Sequence, residues 1–108
     1  MAMPKYLVEA TYHAEGLKGL RKDKASGRKE MVTRAAESLG GRVEAFYFAL
    51  GERDVVLILD LPDVISGAGF ALAASASGLV RTKTTPLLTV EEADRALGTK
   101  VDYRPPGG

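Results

Sequence analysis

At 108 residues the chain makes one domain, long enough to bury about two-thirds of its unfolded surface without help from a metal or disulfides. It has no cysteine, which excludes a disulfide framework and any thiol-based metal, redox or nucleophilic chemistry, and which suits a reducing cytoplasm. A net charge of +1, few aromatics and no tryptophan argue against nucleic acid or an anionic membrane as partner, and no apolar run approaches the ~20 residues that span a bilayer.

The chain enters a strand almost at once and shows no signal-peptide architecture, so a cytoplasmic location is expected. In Lys5 to His13, Tyr6, Val8, Ala10 and Tyr12 alternate with Leu7, Glu9, Thr11 and His13, the period-two pattern of a strand with two distinct faces. Ala14 to Leu20 has room for a short helix weakened by Gly16 and Gly19. Arg21 to Gly27 reads as a charged loop with Ser26 as a helix cap. From Arg28 the spacing turns helical: Met31, Ala35 and Leu39 form one row beside Val32 and Ala36, closed by Gly40.

Arg42 to Leu50 is a second strand, Gly51-Glu52-Arg53 a short hairpin connection, and Asp54 to Leu61 a third strand that is apolar on both faces. Asp63 is placed to cap a helix from Val64 to Ser77, rich in Ala and Gly and read as largely buried. Gly78 ends it, Leu79 to Thr85 is a fourth strand, and Thr89 with Glu92 forms a capping box for a short helix to Leu97. Residues 1–98 therefore form the domain and residues 99–108 a flexible C-terminal tail.

The order βαββαβ with a terminal helix is the ferredoxin-like α+β pattern: a four-stranded antiparallel sheet with both crossover helices on one face. The uncovered face then carries Leu7, Val56 and Ile58 together with alternate residues of the second and fourth strands. Monomers rarely leave such a patch in water. Two copies packed sheet to sheet would cover it, so the expected partner is the chain itself, as a homodimer or higher oligomer.

Phe46-Tyr47-Phe48 running into Gly51-Glu52-Arg53-Asp54, and then the apolar strand ending at Pro62-Asp63, resembles the GYD domain family. Its signature there is Gly-x-Tyr-Asp. Pro4-Lys5-Tyr6-Leu7, Glu15-Gly16-Leu17-Lys18-Gly19, Glu37-Ser38-Leu39-Gly40-Gly41 and Thr82-Lys83-Thr84-Thr85-Pro86-Leu87-Leu88-Thr89 extend the likeness to about Leu97. Arg53 stands where the family has its tyrosine, so any chemistry of that tyrosine is not available here through the same atom. The resemblance implies membership of the dimeric α/β-barrel group, which supports the sheet-to-sheet dimer. Functions within that group are diverse, and the fold by itself does not choose among them.

The chemistry-bearing residues divide into a few sets. His13, the one side chain with an unperturbed pKa near neutrality, is a candidate base at the end of the first strand. Glu9, on the same face, lies roughly 13 Å away along an extended chain and cannot orient it. Glu9, Glu44 and Asp60 are strand carboxylates. Two of them enclosed together would repel and raise a pKa, as acid–base work requires; pairing with Arg42, Arg81 or Lys83 is the favoured reading. The scattered acids and single histidine give no metal-ligand spacing, and no cofactor is implied. Lys18, Arg21, Lys22, Lys24, Arg28 and Lys29 form a basic cluster without P-loop spacing, read as a solvated loop. Tyr47 is out of phase with Phe46 and Phe48, so the aromatics line two faces.

Three functions remain open on this reading. The first is a homo-oligomeric module binding a small molecule in a barrel or inter-subunit cavity, oriented by Glu9, Thr11, His13 and Asp60 with Arg81 or Thr82 from the fourth strand. The second is a cofactor-free enzyme of monooxygenase-like or isomerase-like type, using His13 or Asp60 as base. The third is a structural oligomer with its interior filled by Leu7, Phe46, Phe48 and Ile58.

Overall fold

Alternation decides the sheet, and a computed structural model, which describes residues 3–108, places its strands. They are β1 Lys5–Tyr12, β2 Arg42–Phe48, β3 Val55–Asp60 and β4 Val80–Leu87, joined in antiparallel order β2-β3-β1-β4. Helix α1 (Ala14–Ser38) connects β1 to β2, α2 (Val64–Ala76) connects β3 to β4, and α3 (Val90–Leu97) follows the last strand. Each crossover skips one strand, which is the ferredoxin-like arrangement the sequence pattern implies.

Tyr6, Val8 and Ala10 of β1 lie across from Leu59, Leu57 and Val55 of β3, and all six are buried beneath the helices. Val80, Ala36, Val32 and Leu61 complete this core. The second strand keeps both Val43 and Phe46 on the same side, although they are three residues apart, because a bulge between Val43 and Ala45 absorbs one residue. Alternation counted along the chain alone does not reveal that insertion. Pro86 is accommodated in β4 because the strand lies at an edge of the sheet.

The helices correct the sequence reading in two places. Residues 21–27 are not a loop: helix runs through them, broken only at Lys24, whose φ of 66° and ψ of 165° leave the helical region. Lys and Arg are good helix formers, so a charged run carries no loop signal of its own. Gly16 belongs in this helix for a packing reason, since a Cβ there would lie 2.2 Å from the Leu79 carbonyl oxygen. At the other end Gly40, with φ of 80°, takes the left-handed stop position expected of it.

The second correction concerns α2, which is not largely buried. Gly67 alone is buried along it, against the Tyr6 ring, while Val64, Ile65 and Leu72 are exposed. Small side chains bring one turn close to the sheet, but they leave space elsewhere. The helix ends are as expected: Asp63 accepts from the Ser66 N–H at 2.8 Å, and Thr89 with Glu92 forms a reciprocal capping box on α3. The remaining limits differ by a residue or two: β3 stops at Asp60, and β4 runs on to Leu87.

Candidate functional site

The face of the sheet away from α1 and α2 carries three rows that cross all four strands. Ala45, Ile58, Leu7 and Thr85 form the middle row, which is largely apolar. Tyr47, Val56, Glu9 and Lys83 lie on one side of it, and Arg42, Asp60, Lys5 and Leu87 on the other. Tyr47 is 70% exposed here. Phe46 and Phe48 face the helices with ring centroids 5.5 Å apart, so the phase argument for the aromatics holds. The same split separates Leu7 and Ile58 from Phe46 and Phe48, and these four do not fill one interior.

The carboxylates on this face are engaged with cations. Asp60 is 3% exposed, with Oδ1 2.8 Å from Lys5 Nζ and Oδ2 2.8 Å from Arg42 Nε. Lys5 also reaches Glu44 at 2.9 Å. These hydrogen bonds, first to Asp60 and then to Glu44, hold the lysine pKa above its ordinary value. Glu9 lies 3.6 Å from Arg53 Nε, so this arginine reaches over the face. Asp54 accepts the Tyr12 N–H at 2.8 Å and donates its own N–H to the Ala10 carbonyl at 2.9 Å, fastening the hairpin to β1.

Of the six residues singled out from sequence, Glu9, Thr11, Asp60 and Arg81 share this face. Thr11 and Arg81 are register partners, and the Thr11 hydroxyl donates to the Glu52 carbonyl at 3.4 Å. The other two belong elsewhere. Thr82 is paired with Ala10 and so faces the helices. His13 is exposed in the N-cap position of α1 and makes no side-chain cap. Its backbone is what the fold uses, donating to the Leu79 carbonyl and accepting from Leu17. Glu9 and Asp60 sit four positions apart across the face rather than together, each beside a cation. That is the ion-pair arrangement, and no shared-proton site forms.

The larger concavity lies on the opposite side. Helix α1 packs over β1 and β2 and α2 over β4, and the two helices barely meet. Between them runs a cleft of about 440 Å³, walled by Met31, Val32 and Leu39 on one side and by Gly69, Phe70 and Ala73 on the other. Beneath it a small pocket of about 40 Å³ reaches the sheet at Val8, Leu57 and Thr82. Arg28 lines both, and its guanidinium carbon lies 5.8 Å from the centre of the Tyr12 ring. An apolar cleft of this size with one cationic group is the usual form of a small-molecule site.

Sequence reasoning missed this cleft. Arg28 was grouped with the solvated basic cluster, although it precedes Met31 and Val32 by three and four residues and so shares their helical face. The spacing of Gly69 and Ala73, four apart on α2, was the other available signal: on one face of a helix, two such residues leave room.

Compared with known families, residues 6–97 match the model of the GYD domain. Neither a curated protein nor a solved structure matches the chain.

Proposed function

We propose that this chain, which belongs to the GYD domain family, is a homodimeric cytoplasmic module that binds a small molecule in the cleft between α1, α2 and the sheet. The observation that carries the reading is the cleft itself. It is about 440 Å³ in volume, within the ~300–1,000 Å³ typical of ligand pockets. Its walls come from two helices that each pack on the sheet but not on one another, and the space persists because Gly69 and Ala73 lack the side chains to close it.

The dimer half of the reading rests on the other face. Leu7, Val56 and Ile58 stand there with Tyr47 and no helix over them, and a second copy offers the matching apolar surface. The absence of cysteine favours a reducing compartment. Support for an enzyme is weaker, because its two candidate bases lie outside the cleft: His13 is exposed at a helix start, and Asp60 is held by Lys5 and Arg42.

Native mass spectrometry of the purified protein tests both halves. The expected result is a dimer mass carrying a retained small molecule. Ala73→Trp, which fills the cleft, should remove that molecule and leave the dimer mass unchanged. A monomer without adduct would overturn the reading.

A further inference from the structure

Resting on that reading, we infer that the ligand is an amphiphilic carboxylate: an apolar body between the helices and a single anionic head on the Arg28 guanidinium. Among the described residues Arg28 is the only ionisable side chain lining the cleft, and an arginine stays charged at any physiological pH. It is half-buried, yet among the described residues no carboxylate lies within ion-pair distance of it. The Arg28 guanidinium carbon lies 5.8 Å from the centre of the Tyr12 ring, a cation–π contact that uses none of its N–H donors on a carboxylate.

The acidic residues of α1 are directed elsewhere. Glu30 pairs with Arg34 at 2.6 Å and Glu15 with Lys18 at 3.1 Å, both on exposed surface. Glu30 and Glu37 line a separate concavity with Lys29 and Thr33. Asp23 borders an adjoining pocket that Arg28 also touches, without approaching the guanidinium to bonding distance. A cation beside an aromatic ring and flanked by Val32, Phe70 and Ala74 favours an anion, since a hydroxyl accepts a hydrogen bond from it but leaves its charge uncompensated. The flat fork of the guanidinium suits the two oxygens of a carboxylate. The remaining polar groups of the cleft, Ser38 and Ser77, carry no charge.

Isothermal titration at pH 7.5 with decanoate and with decan-1-ol, both below their aggregation limits, tests the assignment on the full chain. Wild type should take one decanoate per chain, about 10- to 100-fold more tightly than the alcohol. Arg28→Gln should erase that preference while still binding the alcohol. Arg28→Lys should keep part of it, because the charge remains and the fork is lost. Thermal melts of both variants check that each is folded. If Arg28→Gln binds decanoate as tightly as wild type, or if wild type does not distinguish the two probes, the inference fails. Alcohol binding that Ala73→Trp abolishes would then leave the cleft as the site and only the anionic head refuted. If neither probe binds and no molecule is retained on purification, the proposed function falls with it.

Discussion

Asp60 sits in nearly complete burial with one cation on each carboxylate oxygen, Lys5 on Oδ1 and Arg42 on Oδ2. Its partners are unequal: Arg42 is mostly exposed, whereas Lys5 is well covered and shared with Glu44. Removing the carboxylate leaves Arg42 free to turn to water, but strips Lys5 of one of its two acceptors. Asp60→Ala should therefore cost about 1–3 kcal/mol, the range for a buried charged hydrogen-bond partner, measured by urea unfolding at pH 7. A loss under about 0.5 kcal/mol would place these contacts with ordinary surface pairs. The Lys5 pKa is raised, so its contribution is fully present below the ordinary lysine value and is lost as pH climbs through the higher folded-state value. Arg53, beside Glu9, places a cation at the margin of the open face.

At the scale of elements, α2 and α3 begin on carboxylates that accept backbone N–H bonds. Asp63 takes the Ser66 amide and Glu92 takes the Thr89 amide, and in each case that bond lowers the carboxyl pKa. A depressed folded-state pKa gives stability that is present above the unfolded value and lost as pH falls through the folded one. Both helix starts should consequently loosen as pH drops below the ordinary carboxylate range of about 4, before the sheet does. Amide exchange at Ser66 and Thr89, whose N–H groups the two carboxylates accept, checks this, and uniform exchange along the chain at pH 3 would contradict it. The loss should be larger for α3, because eight residues make a helix that is marginal by itself, and α3 has no buried residue to compensate.

For the whole molecule, the radius of gyration is 16.7 Å, against about 13 Å for a compact chain of this length. The excess reflects the projecting α3 and tail, where Val90 and Leu97 are 83% and 84% exposed. Four strands about 4.8 Å apart and seven residues long at roughly 3.3 Å each give a sheet face of only ~440 Å² in plan. A stable interface needs about 800 Å² from each partner. The dimer proposed above would have to draw the difference from side-chain relief and the apolar surface of residues 88–103. Ile58→Lys should give a folded monomer by sedimentation at micromolar concentration, since the charge lands in the middle row of the open face. Deleting residues 88–108 should weaken the proposed dimer without abolishing it. A dimer untouched by both changes would place the interface on another surface.

Strand alternation, the Asp63 cap and the Thr89–Glu92 box were legible because each depends on residues close in sequence. So was the two-sided apolar character of β3, since Val55 to Leu59 carries no charge on either face. Glu9, Thr11 and Asp60 were likewise assigned to one face by counting in twos, whereas choosing between Arg81 and Thr82 required the pairing of β4 with β1. The Val43–Ala45 bulge, the helix through the basic run and the gap between α1 and α2 were not legible. Each is settled by how separate segments meet: a bulge by the partner strand, a cleft by two helices set too far apart to pack. The sequence alone determined the layers and their polarity, because local spacing fixes which way side chains point. Only the tertiary structure decided that Arg28 stands alone among apolar walls, because that depends on where the carboxylates of other elements come to rest.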